Sequence, residues 1–163
     1  MRTTAGMNGR VGGRFSGYDV HVDFDGVTMT GRMGGSMQGK DINFQFADGQ
    51  LHGRWGGKMG GKDIHCNVGE TSLSGRMGGP VAGRDLNLTF DGATVTGRMG
   101  GRVGGADINL HTSPDGSMAG RIGGKVFGKD FTGEVAGMPW LVAAAVVSAV
   151  VWQLEMDSSN NGG

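Results

Sequence analysis

The sequence predicts an all-β protein: a closed barrel of twelve antiparallel strands, built from six 22-residue hairpin repeats and enclosing a C-terminal hydrophobic α-helix. Three observations carry that expectation. A Gly-Arg dipeptide recurs at near-constant spacing, a segment of alternating polarity follows each recurrence, and one uncharged stretch near the C-terminus breaks the pattern.

The dipeptide stands at Gly9-Arg10, Gly31-Arg32, Gly53-Arg54, Gly75-Arg76, Gly97-Arg98 and Gly120-Arg121, four steps of 22 residues and one of 23. A fixed period of this length marks one supersecondary unit repeated along the chain. Within each unit an apolar residue and two glycines follow the Gly-Arg, as in Gly31-Arg32-Met33-Gly34-Gly35, and an aspartate comes next: Asp19, Asp41, Asp63, Asp85, Asp107 and Asp130. After the aspartate every second side chain is apolar, for example Ile42-Asn43-Phe44-Gln45-Phe46 and Leu86-Asn87-Leu88-Thr89-Phe90. Period two over this length describes a half-buried strand. Asp-Gly then marks a tight hairpin at Asp25-Gly26, Asp48-Gly49, Asp91-Gly92 and Asp115-Gly116, with Gly69-Glu70 in the deviant unit. Beyond it the chain alternates again, with Val27, Met29, Gly31 and Met33 on one face and Thr28, Thr30 and Arg32 on the other. The expected strands run from Thr4 to Val11, Arg14 to Phe24, Val27 to Met33, Ser36 to Phe46, and so on to Lys125 through Val135. In the longer strand Met37 and Gly39 lie on the opposite parity to Ile42, which predicts a bulge at Gly39-Lys40-Asp41 whose aspartate bonds exposed amides.

From Val135 to Leu154 there is no charge, and Trp140 to Trp152 is apolar on every side apart from Ser148. Pro139 suits the start of a helix, expected over 139–154, with 157–163 a flexible tail beyond a single domain of 1–156. A helix apolar all round is enclosed by protein or lies in a membrane. Its 13 strongly apolar residues cover about 20 Å of a roughly 30 Å hydrocarbon layer, so the span is short. Twelve strands about 4.8 Å apart and tilted near 40° close at a radius of roughly 12 Å, wider than side chains alone fill. The bore that remains suits a helix about 10 Å across. The recurring glycines share the apolar parity and are expected to let the wall approach that helix.

Composition bounds the function. Lys plus Arg and Asp plus Glu are 15 each, which argues against a nucleic-acid partner. Glycine is 36 of 163 residues, about three times its usual share of roughly 7%, yet three prolines and 37% apolar residues point to a folded chain. One cysteine, Cys66, excludes an internal disulfide, and no secretory pattern opens the chain, so a cytoplasmic, reducing location is expected. Cys66 lies on the inward pattern and reads as a buried thiol. His21, His52, His65 and His111 are scattered, and Gly56-Gly57-Lys58 lacks the ending of a phosphate loop, so no metal, cofactor or catalytic set is expected. The outward arginines Arg10, Arg32, Arg54, Arg76, Arg98 and Arg121 are the candidate contact to an anionic surface, with pairing to the aspartates as their default role.

Twelve antiparallel strands around a hydrophobic C-terminal helix, Pro139 to Glu155, resemble the tubby-like barrel of tubby domains, phospholipid scramblases and LURP-one-related proteins. That resemblance implies a non-catalytic intracellular barrel, favoured as a monomer, with a lipid- or protein-facing role; it brings no ligand residue with it. The stretch Gly53-Arg54-Trp55-Gly56-Gly57-Lys58-Met59-Gly60-Gly61-Lys62 is similar to a MORN repeat, which implies an open interaction sheet. A parallel β-solenoid with 22 residues per coil is the third architecture the period allows. In these alternatives the protein is a self-assembling repeat scaffold, or a membrane-anchored one held by Met138 to Leu154.

Overall fold

A computed structural model of the protein describes residues 5–12, 17–34, 39–56, 61–79, 83–100, 105–123 and 128–161, with side chains as far as residue 157. The strands are β1 (Gly6–Gly12), β2 (Gly17–Phe24), β3 (Thr28–Gly34), β4 (Gly39–Ala47), β5 (Gln50–Trp55), β6 (Lys62–Val68), β7 (Ser72–Met77), β8 (Arg84–Phe90), β9 (Thr94–Met99), β10 (Ala106–Thr112), β11 (Ser117–Ile122) and β12 (Lys129–Ala136). Each pairs antiparallel with its neighbours in sequence, and β1 pairs with β12 from Gly6↔Ala136 to Val11↔Phe131, closing the barrel. The open sheet and the solenoid are thereby excluded. Closure leaves no strand edge for unwanted pairing.

The alternation read from the sequence is the inside–outside alternation of the wall. Val20 and Val22, Ile42 and Phe44, Ile64 and Cys66, Leu86 and Leu88, and Ile108 and Leu110 are buried, while the residues between them are exposed. Against this lining lies α1 (Trp140–Asn161), in which every residue from Leu141 to Leu154 is buried. Burial on all sides is what an apolar helix without a polar face requires. The one hydroxyl in that run, Ser148 Oγ, donates to the Ala144 carbonyl one turn back at 2.9 Å. The helix is therefore the core of the barrel. Pro139 stands just before it and its carbonyl accepts the Ala143 amide. Gly137, at φ +67°, turns the chain from β12 into the bore, and a Cβ there would lie 2.8 Å from Ala5 Cβ.

Three expectations are corrected. The helix continues to Asn161, seven residues past its expected end at 154 and through most of the stretch read as a tail, because Glu155 and Asp157 find partners on the wall. No bulge interrupts Gly39-Lys40-Asp41: the register runs one-to-one from Gly34↔Gly39 to Thr28↔Gln45. The parity conflict disappears because β4 begins at Gly39, and Met37 lies outside the described residues, as do 14–16 and 125–127 at the expected strand starts. The recurring glycines, finally, have their tightest contacts within the wall itself. A Cβ at Gly31, Gly97 or Gly120 would sit about 2 Å from a carbonyl oxygen of the preceding strand, those of His21, Asn87 and Asn109. Each of these glycines stands opposite large inward residues on both neighbours, as Gly97 does between Leu88 and Ile108. Small and large residues thus alternate around the lining, which lets the wall close.

Candidate interaction surface

The six arginines lie on the outer face of the wall, each beside the aspartate of the next strand. Arg10–Asp19, Arg32–Asp41, Arg54–Asp63, Arg76–Asp85, Arg98–Asp107 and Arg121–Asp130 are ion pairs of 2.5 to 2.9 Å. Cross-strand register produces them: Arg32 stands directly opposite Asp41, and the same alignment recurs around the barrel. The recurrent aspartate is thus the counter-ion of the recurrent arginine and not the cap of a bulge. The result is a charge-balanced belt. The arginines sequence reasoning offered to an anionic surface are placed on one ring, with a carboxylate at each.

With the belt balanced, the remaining described charges separate toward the two ends. At the end where even strands turn into odd ones, every turn carries an exposed acid: Asp25, Asp48, Glu70, Asp91 and Asp115. Asp25 Oδ1 accepts the Val27 and Thr28 amides, and Asp91 Oδ1 those of Ala93 and Thr94, at 2.7 to 2.9 Å. Asp115 Oδ1 accepts the Ser117 hydroxyl and amide. These bonds hold the three carboxyls below their ordinary pKa, through the Thr28 amide first in Asp25, the Thr94 amide in Asp91 and the Ser117 hydroxyl in Asp115. Only Asp48-Gly49 makes the two-residue turn with positive φ at both positions, +54° and +74°.

The same end holds an apolar recess of about 480 Å³ where α1 enters the barrel, lined by Phe46, Val68, Phe90, Pro139, Trp140 and Leu141 and bordered by Glu70. Phe46, Val68, Phe90 and Trp140 are only partly buried. Sequence reasoning missed this surface. Its signal was the phenylalanine ahead of the turn acid in Phe24-Asp25, Phe90-Asp91 and Phe46-Ala47-Asp48, read there as one more apolar strand position.

The opposite end carries Lys40, Lys62, Arg84 and Lys129, each two residues before an inward side chain and hence on the inward parity of the rim. Here the wall grips the end of α1. Arg84 donates to Glu155 at 3.1 Å and lies 5.1 Å above the Trp152 ring. Trp55 Nε1 donates to Gln153 Oε1, Gln153 Nε2 donates to Asp157, and Tyr18 donates its hydroxyl to Asp157. Burial first, and then the Asp157 carboxylate, raise the Tyr18 pKa, so the phenol keeps its proton. Cations around a helix C-terminus also complement the negative end of its dipole.

The remaining candidates do not converge on chemistry. Cys66 is buried and its thiol is pushed up to about 12, chiefly by desolvation, so it is no nucleophile at neutral pH. His21 approaches Asn8 and Asp23, His52 and His65 meet edge to face across β5 and β6, and His111 contacts Thr94. Among the described residues no three metal-ligating side chains come together.

The fold defines a class: a closed, up-and-down twelve-stranded barrel filled by its own C-terminal helix. Comparison of the chain with protein-family models, curated proteins and solved structures finds no match.

Proposed function

We propose that the protein is a non-catalytic interaction module that holds a protein partner at its acidic, aromatic-floored end. The observation that carries this reading is the recess of Phe46, Val68, Phe90 and Trp140 inside a ring of turn carboxylates. An apolar floor with a charged rim is the usual anatomy of a protein-binding patch, where the core supplies affinity and the rim selects the partner's charge. The bore is taken by α1, which supports an outside surface over an interior carrier site. The partner segment is cationic and apolar by complementarity. The lipid-facing role implied by the tubby-like resemblance would instead use the basic end.

A synthetic peptide alternating lysine and leucine, titrated calorimetrically into dilute full-length protein, tests the reading. Binding is expected, weakened by about tenfold or more in the Phe90→Ser variant and reduced by added salt. The reading is overturned if the peptide does not bind, or if the protein instead floats with phosphatidylserine vesicles and ignores the peptide.

A further inference from the structure

We infer that the occupant of the acidic end is the basic end of a second copy of this chain, so that the barrels stack head to tail. The inference rests on reading that end as a docking surface, and it adds the identity of the partner.

Three features of the molecule fit one another across such a contact. The rims are complementary: Asp25, Asp48, Glu70, Asp91 and Asp115 ring one end, while Lys40, Lys62 and Lys129 stand on the other and make no ion pair with the described residues. The centres are complementary in the opposite sense. α1 begins at the acidic end and finishes at the basic one, so stacking brings the negative end of one helix dipole toward the positive end of the next. Rim and centre therefore both match only when unlike ends meet, and two like ends repel in both places. The area is also adequate. A wall radius of roughly 12 Å with about 4 Å of side chains gives an end face on the order of 800 Å², the share each partner contributes to a standard specific interface. Asp25, Asp91 and Asp115 keep their charge well below neutral pH because backbone amides and the Ser117 hydroxyl hold them ionised. A contact between two different patches of one chain is heterologous, and because the two faces lie at opposite ends it does not close on a pair but extends as a filament.

Analytical ultracentrifugation of the full chain over a range of concentration and salt tests this. At low salt the average mass is expected to climb above the 16.8 kDa of one chain as concentration rises, and to return to it in high salt. Two variants locate the faces while sparing the amide-bonding aspartates: at the acidic end Glu70→Lys with Glu134→Lys, the latter exposed on β12 opposite Ser117, and at the basic end Lys40→Glu, Lys62→Glu and Lys129→Glu. The basic-end variant is expected to stay monomeric, and the acidic-end variant, which keeps Asp25, Asp48, Asp91 and Asp115, to associate several-fold more weakly than the wild type. A wild type that remains a single chain at low salt and high concentration overturns the inference, as does association unaffected by either variant. Should a variant fail to give a barrel by circular dichroism, the salt and concentration series on the wild type decides alone. The peptide titration is made on dilute protein, so peptide binding without self-association ends this inference and leaves the docking surface standing.

Discussion

Trp55 Nε1 and Gln153 Oε1 meet at 2.9 Å in the interior, tying the end of β5 to the last buried turn of α1. The two residues are 98 apart in sequence, and the indole also packs edge to face on Trp152 with ring centres 6.0 Å apart. A wall of repeated hairpins and a helix unrelated to the repeat are thus joined by a directional bond in the buried interior, beside the Arg84–Glu155 and Tyr18–Asp157 contacts nearer the rim. Removing one partner leaves a buried donor without an acceptor, which costs about 1–3 kcal/mol. Gln153→Leu is expected to lower the denaturant midpoint accordingly, whereas Trp55→Phe with Gln153→Leu recovers part of the loss. Chemical unfolding followed by tryptophan fluorescence reads both, and a Gln153→Leu protein as stable as wild type would show that the bond contributes nothing.

The glycines of the wall are expected to tolerate a methyl group very unevenly. A Cβ at Gly97 would lie 1.9 Å from the Asn87 carbonyl oxygen, a backbone atom fixed in the ladder, while one at Gly79 meets nothing within 4 Å. Gly97→Ala should cost roughly 3 kcal/mol or prevent folding, at the upper end of overpacking penalties, and Gly79→Ala should stay within about 0.5 kcal/mol of wild type. Thermal melts of the two variants side by side make the comparison, and equal effects would refute the wall-closure role.

The Arg–Asp belt is conspicuous in the sequence and weak in energy. In the Arg98–Asp107 pair the side chains are 37% and 76% exposed, so solvent screens most of the attraction. A double-mutant cycle with Arg98→Ala and Asp107→Ala is expected to give a coupling of about 0.2–1 kcal/mol that shrinks in high salt. A coupling above about 2 kcal/mol would make the belt a main source of stability.

Stability should fall at both ends of the pH scale for identifiable reasons. Asp25, Asp91 and Asp115 have folded pKa values below the ordinary aspartate value of about 3.9, so their contribution is complete above that pH and is lost as pH falls through the lowered values. Asp91→Ala should lower the melting temperature at pH 6 and flatten its acid-side decline. Cys66 shifts the other way: with a folded value of about 12 against about 8.5 unfolded, it stabilises fully below pH 8.5 and progressively less above it. Between pH 8.5 and 9.5 the slope of melting temperature against pH should be shallower in Cys66→Ala than in wild type. An unchanged slope would mean the thiol is not held protonated by burial.

The strand count, the hairpin order and the inward set were legible in the chain because they follow from local rules. Alternation at Ile42-Asn43-Phe44 fixes which side chains face in, Asp48-Gly49 fixes a turn, and the apolar run from Trp140 to Trp152 demands enclosure. The same local patterns were compatible with an open sheet or a solenoid, since hydrophobic period says nothing about which strand lies beside which. Closure is a relation between β1 and β12, more than a hundred residues apart, and only the tertiary structure decides it. The partner of each aspartate was likewise a matter of register: Asp41 meets Arg32 because β3 and β4 align there without a bulge. So was the meaning of the recurring glycine, whose near contact is a carbonyl on the neighbouring strand. The two ends of the barrel exist only once the hairpins are gathered into a ring, which brings acids 20 or more residues apart to one rim and sets an aromatic recess among them. What the sequence determined by itself is therefore what each segment buries; which groups come to share a surface was settled by how the segments close around the helix.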